Sequence, residues 1–344
     1  MAGAARSEPD SPSPDAATTA PDAAAIVPDA AAAPDAAAIV PDAAATIAGV
    51  ASPEQAPSST ELWTDPDTPA ARQVAAYRDA GRFADAARIE RIAREPQATW
   101  LTGANPGPEV RRLTTAATVV GRTPVLVAYH IPHRDCGAFS AGGADSSREY
   151  RAYVDSFAEG LGDRSAWVIL EPDAVPQALA GCANAGLKER LGLLAYAVDR
   201  LKAHKNVRVY VDAGHPGWIS DLPWLARALN KAGLPRADGF SLNVSNFHTT
   251  PTLLTYARRL AQATGHTPHF VFDTSRNGNG PYTGPDPWCN PPSRTLGPPP
   301  TLHTNTPSLD AHLWIKRPGE SDGTCRGGPP AGVWWPEYAL SLTP

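Results

Sequence analysis

Acidic and polar residues gather in this chain wherever a short apolar run stops. PVLVAYH (124–130) gives way to Arg134-Asp135-Cys136, and AWVIL (166–170) runs into Glu171-Pro172-Asp173. VRVYV (207–211) leads to Asp212 and Gly214-His215, and GFSLN ends at Asn243 with Asn246 just beyond. HFVFD closes on Asp273-Thr274-Ser275-Arg276-Asn277, and HLWI (312–315) on Lys316, Glu320 and Asp322. One acid at a strand end means little. Acids at many independent strand ends mean more, because a parallel barrel brings all such ends to one face, where its ligand site lies. Paired carboxylates there can cleave glycosidic bonds, one of them protonating the leaving oxygen. Trp100, Trp218 and Trp314 lie close to the same strand ends and offer flat faces to sugar rings.

Other chemistries lack their residues. The chain contains no G-x-S-x-G elbow and no H-E-x-x-H. It has no G-x-G-x-x-G or phosphate-binding G-x-x-x-x-G-K-[ST] loop. His130 and His133 flank the first acidic run without a third ligand nearby, so no metal and no cofactor is expected. The residues alone point to a glycoside hydrolase on a barrel.

The elements that must position these residues follow from the apolar pattern. Strands are expected near 98–101, 124–130, 166–171, 207–212, 238–243, 269–273 and 312–315. Most are continuous apolar runs, the mark of parallel strands covered on both faces. Helices are expected near 68–79, 83–94, 108–120, 147–161, 186–203, 221–232 and 251–264, the first capped by Asp67 with Pro69 in its first turn. The alternation is that of an α/β protein, and seven strands over this length suit a closed barrel better than an open sheet.

Residues 1–58 differ from the rest. They are rich in Ala, Pro and Asp, repeat PDAAA, and hold none of the nine Trp, nine Tyr or seven Phe. Proline blocks helix there, and alanine buries too little area to offset chain entropy, so a disordered tail or linker is expected, with the catalytic domain at 59–344. The tail carries a net charge of −7 against −5 for the whole chain, which leaves the body near neutral. A neutral body argues against nucleic acid as partner and suits an uncharged polymer. No stretch is long and apolar enough to span a membrane, and no export signal is visible in MAGAARSEPD. Cys136, Cys182, Cys289 and Cys325 have no zinc spacing; they read as two disulfides in any of three connectivities, and hence as a secreted protein.

At these same residues the sequence resembles glycoside hydrolase family six. Val127-Ala-Tyr129-His-Ile-Pro132-His-Arg134-Asp135-Cys136-Gly137, completed by Ser140-Ala-Gly-Gly143, is similar to one family signature, and Leu170-Glu171-Pro172-Asp173 to another. Tyr210–His215, Asp273–Gly280 and Leu313–Gly323 resemble further blocks in the family's order, so the likeness covers about residues 62–344 and is strongest to actinobacterial members. The resemblance implies a distorted seven-stranded parallel β/α barrel and hydrolysis of β-1,4-glucan with inversion. It assigns Asp173 as general acid, and Asp135 as the acid that keeps Asp173 protonated and helps place the water. Asp322 becomes the base, and Tyr129 the residue under the distorted sugar. Trp100, His215, Trp218, Asn243, Trp314, Lys316 and Glu320 match substrate-binding positions, and the cysteines would pair 136 with 182 and 289 with 325.

Ala141 departs from the family where several members carry a second Ser, and Trp167 stands where a smaller residue is usual and reads as a packing change. Glu171 is expected to give structural support, and Arg134 and Arg276 to pair with rim carboxylates. The segment between Asp273 and Leu313 is dominated by Pro, Gly, Asn and Thr and looks too short to roof a tunnel, which favours endo action by a monomer on an open cleft. The alternatives are an exo-acting cellobiohydrolase and an inactive glucan-binding barrel.

Overall fold

A computed structural model describes residues 61–182 and 186–344; the expected tail falls outside them. Seven strands form one parallel sheet in the order β1 to β7: β1 Thr99–Leu101, β2 Val125–Ala128, β3 Ala166–Leu170, β4 Val207–Asp212, β5 Gly239–Leu242, β6 His269–Asp273 and β7 Leu309–Leu313. The helices are α1 Pro69–Asp79, α2 Phe83–Ala93, α3 Gly107–Val119, α4 Ser147–Leu161, α5 Ala174–Leu179, α6 Leu187–Lys202, α7 Leu222–Lys231, α8 Thr250–Thr264 and α9 Pro336–Leu342.

Each strand is apolar on both sides because both sides are covered. Leu126, Val168, Val209 and Phe240 face out and pack with α3, α4, α6, α7 and α8 in one core. Val127, Ile169, Tyr210 and Val271 face in and form a second core inside the curled sheet. Trp167 belongs to the inner set and stacks on Tyr210 with ring centroids 5.4 Å apart, so it fills the barrel. Full burial of such a Val, Leu or Ile contributes roughly 1.5–3 kcal/mol.

The barrel closes without a strand pair between β1 and β7. Instead the Ala98 N–H donates to Trp314 O (3.0 Å), the Trp100 indole to Ile315 O (2.8 Å), and the Arg317 guanidinium to Ala98 O (2.8 Å). This seam of single bonds is the distortion of the barrel.

Helix starts follow local chemistry. Ser146 caps α4 by accepting from the Glu149 N–H (3.2 Å), while Glu149 accepts from the Asp145 N–H (2.8 Å). At α1 the cap is Thr68, not Asp67: its Oγ1 accepts from the Ala71 N–H (3.1 Å), three residues on, and Pro69 opens the helix.

The largest departure from the sequence reading is β7. It runs Leu309–Leu313 instead of 312–315, because its residues alternate between buried Leu309, Ala311, Leu313 and half-buried Asp310, His312. Asp310 accepts from the Tyr210 hydroxyl and pairs with His269 Nδ1, both at 2.6 Å. An apolar-run reading misses such a strand.

Candidate active site

The strand ends carry backbone that ordinary residues avoid. Asp135 (φ 55°), Glu171 (φ 48°), Asp173 (φ 69°) and Asn243 (φ 72°) all adopt left-handed conformations without being glycine. Such conformations persist only where the surroundings enforce them, and they cluster at functional sites.

Asp173 leads from β3 into the short helix α5. Its N–H donates to Asp212 Oδ1 (2.9 Å), which also accepts from the Gly214 N–H (3.0 Å), while Asp212 Oδ2 accepts from Ser241 Oγ (2.9 Å). The Asp173 carboxyl keeps a partly open surface but sits among densely packed atoms. Burial, then the charges of Asp212 and Asp135, hold it well above the usual carboxylate range. Burial also raises Asp212, to about 6, and Asp135. Asp135 is steadied by the Ser140 N–H (2.7 Å) and by Gln177 Nε2 from α5 (3.2 Å). The Tyr129 ring lies beside these acids, with the Arg134 guanidinium 4.9 Å from its centroid and Trp100 edge-on at 5.0 Å.

A second group forms at the ends of β6 and β7. Asp322 accepts from Arg276 Nη1 (2.8 Å) and from the Asn290 N–H (2.9 Å), with Lys316 Nζ at 3.5 Å. Burial alone would raise its pKa, but the Arg276 and Lys316 charges outweigh burial and hold it below the usual range. Buried Asp273 fixes the neighbouring loops by accepting from the N–H groups of Ser245 (3.0 Å), Ser275 (3.0 Å) and Lys316 (2.9 Å). The strand ends thus hold carboxyls of opposite character, one group raised by burial and like charge and one lowered by cationic neighbours. That is the requirement for acid–base cleavage of an acetal.

The sequence profile of glycosyl hydrolases family 6 matches residues 57–344. The chain belongs to that family. It is 46% identical to endoglucanase A of Cellulomonas fimi over 75% of its own length and 56% of that protein's, so it spans little more than half of that relative. It is 41% identical to endoglucanase 1 of Streptomyces halstedii, over 85% of this chain and 92% of that one. Its structure resembles the endoglucanase Cel6 of Mycobacterium tuberculosis solved with a methyl-cellobiosyl-4-deoxy-4-thio-β-D-cellobioside, with a TM-score of 0.76 and 45% identity, covering 82% of this chain and 96% of that one.

For this family 6 chain the rim gathers most of the residues singled out from sequence, and it sorts them. Tyr129, Asp135 and Asp173 come together; Lys316, Glu320 and Asp322 lie on the segment after β7, with Lys316 Nζ 3.5 Å from Asp322 and Arg317 Nη1 3.3 Å from Glu320. His215 packs at a tilt against Trp218 (5.2 Å) and stacks on His248 (4.9 Å), whose Nε2 is 3.1 Å from His215 Nδ1. Asn243 is fully buried, and its amide is spent on Asp273 O (2.8 Å) and the His248 N–H (3.0 Å), so it shapes the end of β5.

Trp314 is a correction. Only 3% exposed, it packs with Val74, Tyr77 and Ile89 from α1 and α2 and donates its indole N–H to Pro298 O (3.0 Å), which makes it a core residue. Arg134 is another: among the described residues it pairs with no carboxylate by direct contact but donates to Tyr129 O (2.9 Å), Ser140 O (2.8 Å) and Ala141 O (3.0 Å), while Arg276 does pair with Asp322. Sequence reasoning passed over Gln177 and His248, since one polar residue on a short helix and one in a loop give no periodic signal.

The cysteines pair as the family resemblance implied. Cys136 bonds Cys182 and Cys289 bonds Cys325.

Proposed function

We propose that this chain is an inverting, endo-acting β-1,4-glucanase that works outside the cell as a monomer. The observation that carries the reading is the setting of Asp173, a carboxyl at a strand end that burial and two negative neighbours raise well above the usual carboxylate range. A protonated Asp173 gives its proton to the glycosidic oxygen as the bond breaks. Asp322, ionised beside Arg276 and Lys316, accepts a proton from the water that attacks the opposite face of the sugar. Asp135 keeps Asp173 protonated and orders that water, and Tyr129 supports the sugar ring at the cleaved bond.

Trp100, His215, Trp218, Lys316 and Glu320 bind neighbouring glucose units. Endo action agrees with the names of the relatives at 41–46% identity and with the modest segment between β6 and β7. Two disulfides suit an oxidising, extracellular setting, and among the described residues no helix is long and apolar enough to cross a membrane.

The test is digestion of soluble carboxymethyl-cellulose, with viscosity and reducing ends followed together. Steep viscosity loss per reducing end is expected, and Asp173→Asn should lower the rate by roughly 10²–10⁴-fold, the usual worth of a general acid. Reducing ends without viscosity loss would mean exo action. Binding without turnover would mean a glucan-binding barrel.

A further inference from the structure

Asp135 and Asp173 stand at the ends of different strands, yet the proposed chemistry needs them at a fixed separation. One buried side chain outside the cleft reaches the backbone of both segments. Arg190, on α6 and 3% exposed, donates through Nη2 to Pro132 O (2.7 Å) and His133 O (3.0 Å), just before Asp135. Through Nη1 it reaches Ala174 O (3.4 Å), the carbonyl just after Asp173. From the opposite side the Glu171 carboxylate accepts the N–H groups of His130 (3.0 Å) and Ile131 (3.1 Å). The loop after β2 is therefore gripped at its donors by an anion and at its acceptors by a cation.

That loop needs an outside restraint. His133, Asp135 and Cys136 all have left-handed φ values, 56°, 55° and 50°, which such residues do not hold unaided. Its other ties act further along: the disulfide from Cys136 to Cys182 and the Gln177 bond to Asp135 hold the loop to the body and far end of α5. Arg190 alone of these three joins the loop to the residue next to Asp173. A planar guanidinium serves divergent carbonyls from one rigid, preorganised fork, whereas an ammonium on a flexible stem fixes no such separation between its acceptors.

We propose that Arg190 is a positioning residue that sets the separation of Asp135 and Asp173 by clamping the two backbone segments that carry them. The role rests on the glycosidase reading above. Charged and titratable groups face the clamp from three elements: Glu171 from the end of β3, Tyr150 from α4 and Tyr129 from the end of β2. Asp173 itself responds to Asp212 and Asp135.

Arg190→Lys keeps the charge and removes the fork. With the full chain, disulfides intact and carboxymethyl-cellulose as substrate, kcat should fall about 10–100-fold, the scale of a misplacement of about 1 Å. KM should stay within about twofold and the thermal midpoint within a few degrees. As Asp135 retreats from Asp173, the acid ionises more easily, so the basic limb of the pH–rate profile should move to lower pH. Arg190→Gln should move the limb the same way, whereas loss of a positive charge acting directly would move it to higher pH.

A Lys variant with the parent kcat and limb overturns the proposal. So does a kcat loss matched by a fall in thermal midpoint with the limb unmoved, or failure of both variants to fold, either of which makes Arg190 a core anchor. A parent protein that cleaves no β-1,4-glucan sinks the glycosidase reading and the clamp together. An active parent with an unaltered Lys variant sinks the clamp alone.

Discussion

The Asp173 carboxyl is raised by its neighbours as well as by burial, and the two causes can be separated by mutation. Asp212 contributes a negative charge while its Oδ1 holds the Asp173 N–H. Asp212→Asn keeps an oxygen for that bond and removes the charge. Ionised Asp173 then meets less repulsion, so its pKa falls and the protonated fraction at a given pH above it falls too. The basic limb of the kcat/KM profile should move to lower pH, with activity above that limb dropping about tenfold for each pH unit moved. The acid limb, which the proposed base Asp322 beside Arg276 and Lys316 would set, should stay in place. A pH–rate profile of the two proteins decides this, and an unmoved basic limb would mean that the Asp212 charge does not tune Asp173, leaving burial and Asp135 as the causes. At this scale the sequence was informative about identity but not about facing. Asp135 and Asp173 could be singled out because each follows an apolar run. Trp314 follows one too, yet its ring turns into the α1–α2 core, because position along a strand does not say which side of the chain end a large ring will pack on.

Elements were legible where burial imposes a simple period. The runs in β2 to β6 are apolar because helices cover one face and the barrel interior the other, and their positions follow directly from sequence. β7 was displaced because Asp310 and His312 interrupt its apolar pattern, and α5 and α9 were missed because six and seven residues are too few to establish a helical period. Helix contacts were not legible at all. Gly160 of α4 lies against Gly107 at the start of α3, and a Cβ at position 160 would come 2.9 Å from both the Gly107 Cα and the Val110 Cβ. Backbone cannot yield as a side-chain tip does. Gly160→Ala should therefore push α3 and α4 apart and destabilise the protein by roughly 1–3 kcal/mol, the usual cost of overpacking. Denaturant unfolding would measure it, and a variant as stable as its parent would show that the two helices can separate freely.

Across the whole molecule, the rim is held by covalent ties that the strands do not supply. A barrel whose seam is closed by single hydrogen bonds leaves its strand-end loops poorly anchored, and each disulfide fastens a loop that carries one of the proposed acids. Cys136–Cys182, 46 residues apart, ties the Asp135 loop to the end of α5. Cys289–Cys325, 36 residues apart, ties the segment after β6 to the one that carries Asp322. Closing loops of those lengths removes unfolded-chain entropy worth about 4 kcal/mol per bond in the chain-entropy model. For a domain of this size, each kcal/mol moves the thermal midpoint by roughly 1.5–2 °C, so Cys289→Ala with Cys325→Ala should lower it by about 7 °C. The same pair frees the Asp322 segment while Cys136–Cys182 still ties the Asp135 loop to the end of α5. Activity at moderate temperature should then fall before the fold is lost, with the acid limb of the pH profile moving up as Asp322 loses contact with Arg276. Thermal unfolding and a pH–rate profile on one sample test both halves of this argument. A lower midpoint with an unchanged acid limb would mean that the bond stabilises the chain without holding the proposed base.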